Sequence, residues 1–150
     1  MEPLQIIIDK HEQTPWFWPP DLATMVRGTL NAGDYALVDD DRKFAVERKS
    51  LDDLVGTLAS GWQRFKNELQ RMKDLEMPAR IIIVEGNFQD ILDHKYNHPR
   101  VSPRFVLRRL TTLAFAEVQV IFASNALAAS GYCWRLLYHR WKQLHAEKEI

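Results

Sequence analysis

Two short β-favouring runs, each with a carboxylate at a strand end, constrain this chain most. The first, Gly33-Asp34-Tyr35-Ala36-Leu37-Val38, opens on a glycine and an acid. The second, residues 43–49 (KFAVERK), follows the turn-like acidic stretch Asp39-Asp40-Asp41. Alternate side chains on a strand share a face, so Glu47 and Lys49 point one way and Arg48 the other. The expectation is a hairpin across the acidic turn, which brings Asp34 towards Glu47. Two carboxylates then stand ready for a hard divalent cation with an ammonium beside them, the equipment of a hydrolytic site for phosphodiesters.

The rest of the chain supplies a frame for that pair. Leu4 to Ile8 is an apolar run fit for a buried strand that delivers Asp9 at its end. Residues 10–24 hold three prolines and are expected to be irregular; Trp16 and Trp18 there either stack on bases or pack beneath the loop. A weak strand is expected over about 25–30. Ser50 opens a helix with Asp53 three residues on, a capping-box-like start. A second helix, about 62–76, turns Trp62, Phe65, Leu69 and Met72 to one face. Residues 79–84 read as a buried strand bounded by Pro78 and Gly86. A short helix (FQDILDH), a basic loop with two prolines, a helix opening at Ser102-Pro103, a strand over 118–122 and a long helix over about 125–147 complete the chain. Strands that first cluster and then alternate with helices predict an α/β fold, a mixed central sheet flanked by helices in a single domain over residues 1–150.

Composition excludes several classes. Lys plus Arg and Asp plus Glu balance at 20 each, so no global basic charge points to a sequence-independent DNA coat. One cysteine, Cys133, excludes an intramolecular disulfide and a Cys-based zinc cluster. No apolar run is long enough to span a membrane, and the N-terminus lacks the charged region and cleavage site of a signal peptide, so an intracellular chain is expected.

The order of motifs resembles the XPF-type family of structure-specific endonucleases, a branch of the PD-(D/E)xK nuclease superfamily. Its signature is Gly-Asp, a spacer, Glu-Arg-Lys, three residues and Asp; here these are Gly33-Asp34, Glu47-Arg48-Lys49 and Asp53. An upstream strand ending in Asp-x-Arg-Glu is matched by Asp9 and Glu12, with His11 where the family usually has Arg. The helix WQRFKNELQRMK and the strand RIIIVEGN are similar to the family's later elements. The resemblance implies a restriction-endonuclease-like fold and an Mg²⁺- or Mn²⁺-dependent endonuclease that leaves a 5′-phosphate and a 3′-hydroxyl. Asp34 and Glu47 would ligate metal, with Asp9 and Glu12 assisting. Lys49 would orient the nucleophile or stabilise charge, and Arg48 and Asp53 would complete the signature.

Several residues carry a plainer reading beside this one. Asp53 also serves a helix N-terminus without any catalytic task, and Arg48, on the far face, suits a carboxylate behind the site. His94 and His98 stand four apart but in a loop context without a third ligand, so a surface pair is expected. Arg64, Arg100, Arg104 and Arg108 are candidates for phosphate contact, together with Lys95 and Arg109, or form a solvated face. Trp134, Leu137, Tyr138, Trp141 and Leu144 make a seam on the last helix that serves as core or as the interface of a homodimer. The expected substrate is branched, flap, fork or gapped DNA in repair or recombination. No tandem helix-hairpin-helix module of the kind such nucleases carry is present in the sequence, so a separate DNA-targeting partner is an option. Two alternatives remain: a non-catalytic DNA-binding or scaffolding subunit, and a restriction-type or RNA-directed nuclease on the same core.

Overall fold

The structure, a computed structural model, describes residues 2–77 and 79–148. Among these, six strands form one sheet in the order β2-β1-β3-β4-β5-β6. The strands are β1 (Leu4–Asp9), β2 (Ala23–Gly28), β3 (Tyr35–Leu37), β4 (Val46–Ser50), β5 (Arg80–Glu85) and β6 (Val118–Ala123). The helices are α1 (Leu51–Leu58), α2 (Trp62–Asp74), α3 (Phe88–Leu92), α4 (Pro103–Phe115) and α5 (Ala126–Lys148). This is the mixed, helix-flanked α/β sheet that the alternation of runs predicts. Pro78, the expected boundary before β5, lies outside the described residues.

β1 pairs with β2 in parallel, as β4 does with β5 and β5 with β6, whereas β3 runs antiparallel to both β1 and β4. Five strands therefore point one way, and β3 starts beside the carboxyl end of β1, with Tyr35 opposite Ile8 on one side and Val46, the first residue of β4, on the other. That places Asp9, Asp34, the Glu47–Lys49 segment and Glu85 at one edge of the sheet. The carboxyl edge of parallel strands is where α/β sheets place their ligands, because the backbone ends there in unpaired groups and helix starts.

The expected hairpin is reduced to a narrow contact. β3 is three residues long and pairs mostly with β1; its match to β4 is the single register Tyr35↔Val46, extended by the Asp34 N–H donating to the Val46 carbonyl at 2.9 Å. Phe44 and Ala45 are buried but lie outside the strand. The acidic turn owes its place to α5, since Arg140 donates to both carboxylate oxygens of the buried Asp40, at 2.8 and 2.9 Å.

Each sheet face has its own core. Leu4, Ile6, Ile8, Tyr35, Leu37, Val46, Ile81 and Ile83 face α5 and the loop carrying Trp16 and Trp18, both at most 4% exposed. Ile82 and Val84 face α1, α2 and α4 through Leu54, Val55, Leu58, Phe65, Val106 and Leu113. Both tryptophans are thus packed under the proline-rich loop: Trp16 stacks on Tyr35 with ring centroids 4.7 Å apart, and the Trp18 indole N–H donates to the Ser130 carbonyl at 3.0 Å. Residues buried to this extent contribute about 1.5–3 kcal/mol each.

On α5, Leu137 and Cys133 are fully buried and Trp134 nearly so, with the Trp134 N–H bound to the Leu22 carbonyl at 3.0 Å. Tyr138, Trp141 and Leu144 are half-buried against the same core, and the rings of Trp134, Tyr138 and Trp141 stack in succession. The seam therefore covers the sheet first. What remains accessible is the outer part of Tyr138 and Trp141.

Candidate active site

Gly33 makes the approach of Asp34 to β4 feasible. Its φ is +75°, a region glycine occupies without strain, and a Cβ built there would stand 2.7 Å from the Ala45 Cβ. Any other residue would push the chain away from β4. With glycine in place, the Asp34 carboxylate reaches over and accepts the Arg48 N–H at 2.8 Å. A side chain thus substitutes for a ladder partner, and the strand pairing stops at Asp34.

Glu47 and Lys49 emerge together on the α2 side, with the Lys49 ammonium 4.0 Å from the Glu47 carboxylate. Burial pushes the pKa of Asp34 up to about 6; the Arg48 N–H opposes this and the charges of Glu12 and Asp9 add to it. Burial also pushes Glu47 up to about 7, with Lys49 holding it back and Asp34 and Glu68 adding repulsion. Asp34 is raised by Glu12 and Asp9 and Glu47 by Asp34 and Glu68, so the cluster holds more negative charge than one ammonium offsets. The donors are hard oxygens of the kind a divalent cation takes, although no three Asp, Glu, His or Cys among the described residues are placed to hold a metal ion by themselves.

Asp9 shares the face but is already engaged. Burial raises its pKa less than the Leu30 N–H, the His11 N–H and the His11 ring lower it, leaving the carboxyl below its ordinary value. Arg48 points to the opposite face. Its guanidinium bonds Glu85 through Nε, lies 3.3 Å from Glu12 and donates to the Thr14 carbonyl at 2.7 Å. Glu12 also accepts from the Tyr35 hydroxyl at 2.8 Å, and Glu85 from the Trp16 indole N–H at 2.8 Å. The structure thus brings Asp34, Glu47 and Lys49 together, sets Asp9 at their side, and places Arg48 and Glu12 behind them. Asp53 is exposed at the N-terminus of α1, where its N–H donates to the Ser50 hydroxyl at 3.1 Å.

Helix α2 splits the space above the sheet into two. An inner cavity of roughly 210 Å³ has Asp34, Glu47 and Glu68 beside apolar walls of Leu30, Leu69 and Met72. An outer groove of roughly 400 Å³ carries Glu47, Lys49, Asp53, Arg64, Glu68 and His98. Of the arginines expected to meet phosphate, Arg64 lines this groove, whereas Arg100, Arg104 and Arg108 are exposed on α4 and the loop before it and do not line it. Arg109 stacks on Trp62 at 4.4 Å, a packing role. His98 bonds the Asp52 carbonyl at 3.0 Å and His94 the His98 carbonyl at 3.3 Å, so the two imidazoles serve the loop.

Glu68 and Glu85 are site neighbours that motif reading does not single out. For Glu68 the available signal is an acid interrupting the apolar face of α2. Glu85 depends on the β4–β5 register, which no local pattern reveals.

The fold and site define an α/β nuclease-type domain. The chain belongs to the ERCC4-domain family, whose description matches residues 21–132. That family comprises structure-specific nucleases that are generally dependent on divalent metals. Among solved structures the chain is similar to XPF from Aeropyrum pernix, with a TM-score of 0.68 and 21% identity over 91% of this chain. It spans 61% of that chain, and the likeness is one of fold. No curated protein matches the chain.

Proposed function

We propose that the chain is an Mg²⁺- or Mn²⁺-dependent DNA endonuclease with its centre at Asp34, Glu47 and Lys49. The supporting observation is the under-neutralised pair Asp34–Glu47: both line the inner cavity, and Glu47 also lines the groove that holds a lysine and an arginine. When bound, the cation supplies a positive charge that polarises the scissile phosphate. Asp34 and Glu47 hold that charge in place. Lys49 sits beside Glu47 on the groove wall, where its three donors can orient a water for attack on phosphorus or meet the charge that builds on the phosphoryl oxygens. The P–O3′ bond breaks, leaving a 5′-phosphate and a 3′-hydroxyl. Asp9 orders the loop around Leu30, and Glu12 fixes Arg48, so both support the centre from its edge.

Substrate choice follows from charge. With a formal net charge of zero and Arg64 as the groove's arginine, few phosphates can be neutralised, and each contact contributes roughly 0.9 to the salt slope. Duplex binding is then weak and fades with salt, which favours branched or gapped DNA whose strand bends into the groove. Arg100, Arg104 and Arg108 belong to a flanking surface. Pairing with a second copy through the exposed parts of Tyr138 and Trp141 is part of the same proposal, and light scattering at micromolar protein tests it; a separate targeting partner is the alternative route to branched DNA.

The test of the reaction is a panel of single-stranded, duplex, flap, fork and Holliday-junction DNA, each with Mg²⁺, Mn²⁺ or EDTA. Cutting is expected with either metal and none in EDTA. A correctly folded Glu47→Gln protein that cuts at the wild-type rate sinks the assignment.

A further inference from the structure

Helices α2 and α4 cover the same face of the sheet and are joined where Arg109 stacks on Trp62. Towards the starts of β5 and β6 a groove of roughly 620 Å³ opens between them. Lys66, Gln70 and Lys73 of α2 form one wall, Phe115 and Glu117 at the end of α4 the other, and Arg80 of β5 lies between. Its charge is unbalanced, with three cations facing one carboxylate in a chain whose formal net charge is zero. Among the described residues the ammonium groups of Lys66 and Lys73 have no ion pair and no hydrogen bond. Arg80 gives one N–H to the Ala116 carbonyl at 3.3 Å, and among the same residues its buried Nε has no partner. Asp74 accepts from the Gln70 side chain at 2.9 Å and stands outside the lining. Amid these cations Phe115 is 88% exposed, an apolar ring left in water beside positive charge.

We propose that this groove seats a single-stranded segment of the DNA substrate, with Phe115 stacking on an unpaired base and Lys66, Lys73 and Arg80 meeting backbone phosphates. The inference rests on the DNA-nuclease reading above and deepens it by naming where an unpaired arm is held. Charge complementarity selects a polyanion, and the exposed ring selects one that also offers flat apolar faces. In a duplex those faces are covered by the neighbouring bases, so only an unpaired base can present one to Phe115. The groove is also within reach of the candidate centre. Arg64 lines the groove that holds Glu47 and Lys49, and Lys73 lies about 13 Å further along the axis of α2. A strand that leaves the centre along α2 therefore meets Lys66, then Lys73 and Phe115. A flap, fork or gap supplies such a strand, and an intact duplex does not.

The test is fluorescence anisotropy of labelled oligothymidylate, and of a duplex of equal length, in EDTA so that nothing is cut. The full chain is compared with Phe115→Ala, with the double variant Lys66→Ala and Lys73→Ala, and with Phe17→Ala, a control ring exposed elsewhere. Phe115→Ala is expected to weaken oligothymidylate binding about tenfold, with the salt slope and duplex binding unchanged. The double lysine variant should lower the single-strand salt slope by about 0.7 per lysine, and Phe17→Ala should bind as wild type. Unchanged oligothymidylate binding in Phe115→Ala overturns the proposal, as does a wild type that binds no single strand at low salt. An equal loss on duplex, or in Phe17→Ala, overturns it as a general surface effect. A lower melting temperature in Phe115→Ala overturns it in favour of a packing role, and a fall in light-scattering mass assigns the face to a second copy instead. Cleavage is read separately with Mg²⁺ or Mn²⁺. A chain with the expected binding pattern that cuts no DNA keeps the groove and sinks the nuclease reading. A chain that cuts branched DNA and binds oligothymidylate without need of Phe115 does the reverse.

Discussion

Arg48 and Lys49 are adjacent in the chain and meet opposite circumstances on the two faces of β4. Behind the strand, the guanidinium of Arg48 joins Glu12 and Glu85, and both carboxylates gain a second donor from Tyr35 or Trp16. In front, Lys49 is the one cation within 4.0 Å of Glu47 among the described residues, while Asp34 and Glu68 add negative charge. In the rear cluster one guanidinium faces two carboxylates, and each carboxylate is hydrogen-bonded and largely enclosed, as a structural network must be if it is not to destabilise the fold. The front cluster is left short of positive charge. The same strand therefore carries a girder on one side and an unfilled electrostatic demand on the other, which separates residues that hold the site from residues that act in it.

The largest effect expected from breaking this asymmetry is in front. Glu47→Gln or Asp34→Asn should lower Mg²⁺-dependent cleavage by on the order of 10³-fold, with no fall in melting temperature in EDTA. Single-turnover cleavage and a thermal melt on the same samples check both halves. Behind, the sign reverses: Arg48→Met strands two partly buried carboxylates and should cost about 3 kcal/mol of stability, read as a lower urea midpoint with an unchanged slope. If that variant melts like wild type, the rear network is not a stabilising element.

Lys49→Ala should reduce cleavage by roughly 10²-fold while leaving Mn²⁺ affinity measurable by calorimetry, since an ammonium is not a ligand. Loss of Mn²⁺ binding in this variant would mean that Lys49 organises the carboxylates.

The smallest effect is in metal-free stability against pH. The folded-state pKa values of Asp34 and Glu47 lie above their ordinary 3.8 and 4.5, at about 6 and about 7. The folded chain therefore binds more protons than the unfolded one across that window. The contribution to stability is fully present below pH 3.8 and is lost as pH rises through about 7, a decline on the order of 2 kcal/mol after allowance for partial exposure. In EDTA the melting temperature should fall between pH 5 and pH 8; Mg²⁺ should oppose the fall and Glu47→Gln should flatten it. A metal-free protein whose stability rises over that range refutes the electrostatic account of the front cluster.

Sequence pattern carried much of the fold and part of the site. β1, β5 and the start of α1 were legible because each is a local signal: a bounded apolar run, or a serine whose hydroxyl caps the helix at Asp53. β3 was legible as a strand within Gly33–Val38, but its three-residue length was not, because that is fixed by neighbours far along the chain: β1 takes most of its pairing and the Asp34 side chain ends the rest. Alternation along β4 was enough to set Glu47 and Lys49 against Arg48. Which carboxylates meet Arg48 depends on strand order and register, so Glu85 stayed hidden. Glu68 stayed hidden because a helix wheel records that an acid points inward and cannot say what it faces.

The lone thiol offers a use unrelated to chemistry at the site. Cys133 is wholly buried in α5 against the sheet, and burial pushes its pKa well above the usual thiol range. Thiolate-seeking dyes are therefore excluded twice, by contact and by protonation. Labelling must wait until the last helix lifts, so its rate counts those excursions when reaction outpaces re-closure. The chain thus holds an internal clock for detachment of α5, one that runs in the native protein without any added cysteine.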